Sequence, residues 1–246
     1  MTRILLPLLA FFVLSCYADI AIDTDDGSAK LSVAQFDCLY EEGDRTYIAL
    51  LYDSNGVIDP TGLQNLENCG NAHHDYDNIQ ILINPCSPGN MCSNNLTSAK
   101  DQANEIIALT GHNNLIPTLI GVHKNGWPSS NSMANQNFLN EMIDTFLGAN
   151  YTFIGIQTSY NSWSSVMGNK FSVASKAFLW WVNWNGKQDL TTGFAPFGGW
   201  SAPIAHQYAG KVTTDKCAPG VNINYSYYVH GTFQKKNGNK KFMSRI

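Results

Sequence analysis

Charge is scarce in this chain. Asp, Glu, Lys and Arg make up 14% of its 246 residues, and the formal net charge is −4. A chain so weakly and negatively charged has no electrostatic pull towards nucleic acid or an anionic cell wall. Long apolar runs are also lacking: Ile4 to Leu14 is too short to cross a bilayer, and no later stretch qualifies, so no membrane span is expected. There is no Cys-x-x-Cys pair, phosphate loop, dinucleotide fingerprint, HExxH or GxSxG, which argues against structural zinc, nucleotide chemistry, zinc peptidase and serine esterase classes. His73 and His74 stand beside Asp75 and Asp77; they read as a polar loop, and neither metal nor cofactor is expected. A last absence concerns acids: no Asp or Glu lies between Glu105 and Glu141.

The chain opens with Met1, Thr2 and Arg3, the apolar run, and then Ser15-Cys-Tyr-Ala18. One positive charge, a short apolar core and a small residue before the cut predict a signal peptide over 1–18 and an exported protein. Without Arg3 the net charge becomes −5. Five cysteines remain, Cys38, Cys69, Cys86, Cys92 and Cys217, and in an oxidising compartment most should pair. Cys86 and Cys92 bracket a turn-rich loop short enough to bridge locally. The odd count leaves one free thiol or an intermolecular bridge. Asn95, Asn150 and Asn224 each begin an Asn-x-Ser/Thr acceptor; Asn224 sits close to a predicted strand.

Strand-like and helix-like segments alternate. Strands are expected at 19–24, 46–52, 78–84, 115–122, 152–157, 177–184, 203–208 and 221–224. Helices are expected at 32–42, opened by Ser32 with Gln35 three residues on, at 60–69 behind Pro60, at 97–110 and at 133–147, where Phe138, Leu139, Met142, Ile143, Phe146 and Leu147 recur at helical spacing. Residues 162–167 read as a short helix or turn. Eight strands with helices between the early ones predict a single-domain α/β fold, an irregular parallel (β/α) TIM-like barrel, over 19–230. Residues 231–246 carry five basic residues and no acid, and read as a basic tail.

Several segments resemble the lysozymes of glycoside hydrolase family 25, in the form found in nematodes and some protists. They are Ala21-Ile-Asp23, Phe36-Asp-Cys-Leu39, Asn68-Cys-Gly-Asn71, Ile154-Gly-Ile-Gln-Thr-Ser159, Ser162-Trp-Ser-Ser-Val-Met-Gly168, Phe194-Ala-Pro-Phe-Gly-Gly-Trp-Ser-Ala-Pro203 with Gln207-Tyr-Ala-Gly210, and Cys217 with Gly220-Val-Asn-Ile-Asn-Tyr225. The resemblance implies a barrel whose groove binds peptidoglycan and whose strand ends carry acids. An Asp-x-Glu pair serves because residues two apart on a strand point the same way, so that one carboxyl protonates the leaving oxygen while another stabilises the sugar cation or positions water. Carried over by position, Asp23 retains the first-strand acid. The pair falls on Gly121 and His123, the late acid on Asn222, and a fifth-strand tyrosine on Gln157. His123 with Asp23, or with Asp53 at the end of the second strand, remains as a substitute acid–base set.

For ligand contact the candidates are Trp127, in the loop beyond the fourth strand, with Gln157, Trp184 and Gln207. Alternation puts Trp180 and Trp184 on one face of their strand and Trp181 on the other. Three readings follow: a secreted lysozyme-like protein without muramidase activity that binds peptidoglycan, another glycan or a partner in the groove; an active lysozyme with a relocated site, in defence or digestion; and an interaction protein that ignores the groove.

Overall fold

A computed structural model describes residues 18–24, 29–72 and 78–229. The proposed signal peptide, the His73–Asp77 group and the basic tail lie outside the described residues, apart from Ala18. In chain order the elements are β1 (Ala18–Thr24), α1 (Val33–Glu41), β2 (Asp44–Tyr52), α2 (Pro60–Gly70), β3 (Asn78–Ile83), α3 (Ala99–Leu109), β4 (Thr118–Val122), α4 (Ser132–Gly148), β5 (Ile154–Thr158), α5 (Tyr160–Val166), β6 (Phe178–Val182), β7 (Ala205–Thr214) and β8 (Val221–Val229). The eight strands close a barrel in sequence order. Among the described residues no helix is long and apolar enough to cross a membrane.

Local signals set the helix starts. Ser32 caps α1, accepting from the Gln35 amide while the Gln35 side chain accepts from the Ser32 amide. Asp59 caps α2 through the Gly62 amide, with Pro60 in the first turn. Each such cap is worth about 1 kcal/mol. The apolar face of α4 buries Phe138, Leu139, Met142, Ile143 and Phe146 against the strands. This outer layer is distinct from a smaller cluster of Ala21, Ile48, Leu50, Leu82, Leu119, Trp180, Ala205 and Tyr228, whose alternating positions fill the barrel. Inside, Trp180 Nε1 donates to Ser226 Oγ at 3.0 Å, and the Thr46 hydroxyl meets the Tyr228 hydroxyl at 2.7 Å. Polar groups that cannot reach water are thus paired with one another.

The barrel is not wholly parallel. From β1 to β7 each neighbour is parallel, but β8 runs antiparallel to both β7 and β1. The reason is the connection. Residues 215–220 join β7 to β8 as a hairpin turn, whereas a parallel return needs a crossover of about a dozen residues or more. The irregularity expected after the sixth strand takes this form, together with a helix-free stretch from Asn183 to Ile204 between β6 and β7.

Two disulfides form. Cys86–Cys92 closes the local loop, and Cys38–Cys217 ties α1 to the β7–β8 turn across 179 residues of sequence. A bridge over so long a loop removes much unfolded-chain entropy, roughly 5 kcal/mol in a chain-entropy account. Cys69 is buried and joins neither disulfide.

Candidate functional site

In barrels of this build the C-terminal ends of the parallel strands form the mouth, and alternation decides which side chains enter it. Asp23 lies two residues beyond Ala21 on β1, Gly121 two beyond Leu119 on β4, and Gln207 two beyond Ala205 on β7. Because β8 is reversed, its inward series runs upward from Tyr228 through Ser226 to Asn224. Register sets Asn224 beside Asp23, Gln157 beside Gly121, and Gln207 beside Val182. The result is a cavity of about 190 Å³, walled by Asp23, Thr24, Asn84, His123, Gln157, Val182, Trp184, Gln207 and Asn224 over a floor of Ile48, Leu50 and Leu82. A second cavity of about 300 Å³ adjoins it at Val182, lined by Ser159, Tyr160, Asn161, Trp181, Asn183, Gly193 and Ala195. Together they form a trough along the mouth with Asp23 as its one carboxylate.

One side of the cavity is a closed hydrogen-bond network. Asp23 is buried and accepts from Asn224 Nδ2 at 2.7 Å and from Gln207 Nε2 at 3.0 Å. Gln207 Oε1 in turn accepts from Trp184 Nε1 at 2.9 Å. The Trp184 ring lies on Gly210, where a Cβ would run into the indole, so glycine is required for this close approach. Trp184 therefore stands 50% exposed yet held from two directions. Its loop is fixed from beneath by His206, fully buried and stacked on Trp181, whose ring nitrogens lie 2.6 Å from the Asp189 carbonyl and 2.8 Å from the Asn183 carbonyl. The Asp189 carboxylate accepts from the Thr192 and Thr191 amides and the Thr192 hydroxyl, which hold it down at about pKa 2.

The opposite side is built differently. Gly121 carries no side chain, and Asn84, one residue past β3, occupies the space: a Cβ on Gly121 would overlap Asn84 Oδ1 and come within 3.1 Å of the His123 ring. His123 Nε2 lies 3.2 Å from Gln157 Oε1. Burial pulls the His123 pKa below its ordinary value, and the Gln157 contact opposes this only in part. The imidazole is thus neutral at neutral pH. Asn84 Oδ1 and Gln157 Nε2 find no hydrogen-bond partner among the described residues.

Asp23, His123, Gln157, Trp184 and Gln207 are thus brought together. Three other candidates are not. Trp127 is 4% exposed, donates to the Gly121 carbonyl at 3.0 Å and packs edge-on against Phe138; its loop folds back, so the ring joins the core and lines neither cavity. Asn222 points outward and its Oδ1 accepts from Thr213; on β8 the residue facing Asp23 is Asn224, because parity places 224, not 222, with Ser226 and Tyr228. Asp53 serves the turn after β2, accepting from the Asn55 amide at 2.8 Å. Asn224 is committed to Asp23, which removes it as a glycosylation acceptor in the folded chain, while Asn95 and Asn150 are exposed. Reading the sequence passed over Asn84, Asn224 and His206. The alternation Tyr228–Ser226–Asn224 was available as a signal for the second; for Asn84 there was none.

Among the lining residues Asp23 is the sole carboxylate. No group of three or more His, Cys, Asp or Glu able to hold a metal occurs among the described residues. The arrangement offers an aromatic platform, amide donors and acceptors, and one fixed negative charge.

The fold and chain agree with known proteins. The chain is 28% identical over 201 residues to lysozyme-like protein 5 of Caenorhabditis elegans, covering 81% of this chain and 89% of that protein. It is 28% identical over 229 residues to a probable family 25 lysozyme of Dictyostelium discoideum, covering 91% and 98%. The bacterial lysozyme of Streptomyces coelicolor superposes with a TM-score of 0.64 at 14% identity, over 92% of this chain and 95% of that one, which is a likeness of fold. The sequence model of the family described as lysozyme-like protein 1 matches residues 15–208. With more than half of its length matched, the chain belongs to this lysozyme-like family and has the barrel of the glycoside hydrolase family 25 lysozymes.

Proposed function

We propose that this chain is a secreted lysozyme-like protein that binds glycan, peptidoglycan foremost, in the mouth of its barrel without hydrolysing it. The observation that carries this reading is the solitary carboxylate. Glycoside hydrolysis of the usual kind requires a proton donor on one side of the scissile bond and a second carboxyl on the other. Here Asp23 has both oxygens engaged by amide donors, and Gly121 and His123 stand at the positions where the family resemblance expects the acid pair. Loss of general acid–base help alone removes about 10²–10⁴ in rate. What remains suits recognition: the Trp184 ring for the apolar face of a pyranose, and Gln207, Asn224, Gln157 and Asn84 around it for hydroxyl and amide groups.

The second reading, a relocated active site, draws on Asp23 and His123 lining one cavity. Against it stands the lowered His123 pKa, because burial disfavours the imidazolium that a general acid would need. A role in defence or digestion rests on the same family likeness.

The test is release of reducing ends from bacterial peptidoglycan by the mature protein, beside Asp23→Asn, with sedimentation on the insoluble polymer as the binding measure. The expected result is no release from either protein, binding by wild type, and binding at least tenfold weaker in Trp184→Ala. Release by wild type that vanishes in Asp23→Asn would replace this reading with the second.

A further inference from the structure

His206 on β7 is fully buried, and each of its ring nitrogens lies against a main-chain carbonyl: Nδ1 is 2.6 Å from the Asp189 oxygen and Nε2 is 2.8 Å from the Asn183 oxygen. A carbonyl oxygen only accepts, and a neutral imidazole has one N–H and one lone pair. Either neutral tautomer therefore sets a nitrogen lone pair against an oxygen lone pair at hydrogen-bond distance. A ring with a proton on each nitrogen donates to both. The surroundings suit a buried cation. The Trp181 indole of β6 stacks on the ring, with centroids 4.1 Å apart and planes 20° apart, which sets positive charge over an aromatic face. The loop beyond β6 brings Asp189, whose carboxylate is held down at about pKa 2, and Lys187, which is exposed. Tyr208 of β7 stands with its ring centroid 6.5 Å away, its phenol pushed up by burial and by the charge of Asp44. From β8 the register partner is Tyr227. The two carbonyls bracket Trp184: Asn183 immediately precedes it, and Asp189 closes the same stretch of loop. That stretch is also tied to β7 by the Asn183 amide on the Gln207 carbonyl at 3.0 Å and the Gly186 amide on the Tyr208 carbonyl at 2.9 Å.

We propose that His206 is a positioning residue: a doubly protonated ring that grips the carbonyls on either side of Trp184 and so fixes the indole at the mouth. This rests on the reading of Trp184 as the glycan platform, and adds what holds that platform in place. Loss of one proton turns one of the two contacts from attraction into repulsion between lone pairs, and the loop end carrying that carbonyl is released. Histidine changes charge between about pH 5 and about pH 8. Trp184 is therefore held at the acidic end of that window and loosened at the alkaline end. The sense is opposite to that of His123, where burial favours the neutral ring.

The test reads protonation and position separately. Nitrogen-15 resonances of the imidazoles report the proton on each nitrogen, and His206→Gln identifies the His206 pair by its disappearance. Hydrogen-exchange protection of the Trp184 indole N–H and the Gly186 amide, taken relative to the unfolded chain at the same pH, reports whether the loop is held. Both are followed from about pH 5.5 to about pH 8.5, with sedimentation on insoluble peptidoglycan at each end. Wild type should carry two protons on His206 at the acidic end and one at the alkaline end. Across that change protection should fall about tenfold and peptidoglycan binding about fivefold, as loss of one hydrogen bond implies. His206→Gln, with one donor group for two carbonyls, should show low protection and weak binding that no longer vary with pH. Asp44→Asn, which removes a carboxyl pushed up to about 7 and so titrating in the same window, should keep the wild-type profile. A single proton on His206 at about pH 5.5, or two still present at about pH 8.5, overturns the proposal. So does a proton lost without change in protection, or a profile abolished by Asp44→Asn. Absence of peptidoglycan binding by wild type at either pH ends the glycan reading, while the protection profile still decides the role of His206. Should His206→Gln fail to fold, the His206 resonances are assigned by their through-space contacts to Trp181, and the wild-type profile decides alone.

Discussion

Two arcs of one barrel mouth face each other and are finished to different degrees. On the arc of β1, β7 and β8, Asp23, Asn224, Gln207 and Trp184 bond to one another in series. On the arc of β3, β4 and β5, a glycine, an unpartnered asparagine oxygen, an unpartnered glutamine nitrogen and a neutral histidine stand together. The first arc keeps one of the two acids that the family resemblance expects there, the late acid falling on Asn222; the second holds neither of its pair. The contrast teaches that a retained acid need not be a retained catalyst. Asp23 sits where it can satisfy two buried amides, which is reason enough for a carboxylate there.

If the first arc is structural, its disruption should be costly. Asp23→Ala leaves Gln207 Nε2 and Asn224 Nδ2 buried without an acceptor and should lower stability by about 2–4 kcal/mol in urea unfolding. Gln157→Leu on the second arc removes a donor that already lacks a partner together with the single Oε1 contact to His123, and should cost about 1–2 kcal/mol, less than Asp23→Ala. Equal costs on the two arcs would erase the distinction. A comparable effect, confined to the second arc, is expected at the glycine. Gly121→Asp crowds Asn84 and His123, with a cost of about 1–3 kcal/mol. Asn84→Ala in the same chain should recover at least about 1 kcal/mol of it, as a double-mutant cycle would read. Additive costs would place Asn84 elsewhere. The smallest effect is a pH dependence. The folded pKa of His123 is depressed by burial, so the unfolded chain takes up a proton before the folded one does as pH falls below the ordinary histidine value. The His123 contribution to stability therefore drops as pH falls from about 7 towards 5, opposed by buried Asp44, whose carboxyl is pushed up to about 7, and His123→Gln should remove the His123 share of the slope. An unchanged slope would show that the ring is not desolvated.

Much of this was readable from the chain. Ser32 with Gln35, Pro60, and the apolar stripe of α4 each named an element that formed, because caps and periodicity act over three or four residues. Eight strands at long spacing implied a barrel, and Asp23, Gln157, Trp184 and Gln207 came together as alternation and the resemblance suggested. Trp127 went astray because an aromatic beyond a strand end can turn either into the trough or back onto the helix behind it, and Phe138 with the Gly121 carbonyl drew it back. Asn222 went astray by parity: on a strand one misplaced residue swaps the two faces.

By itself, then, the sequence determined the order and kind of the elements, the family to which they answer, and the lack of any acid between Glu105 and Glu141, since each is written in neighbouring residues or in residue identity. The tertiary structure alone decided that β8 runs against its neighbours, that Asn224 meets Asp23, that Gly210 holds Trp184, and that Asn84 takes the space at Gly121. Those outcomes join residues 26 to 201 positions apart or turn on a single register. Barrel closure fixes such contacts, and local preference carries no record of it.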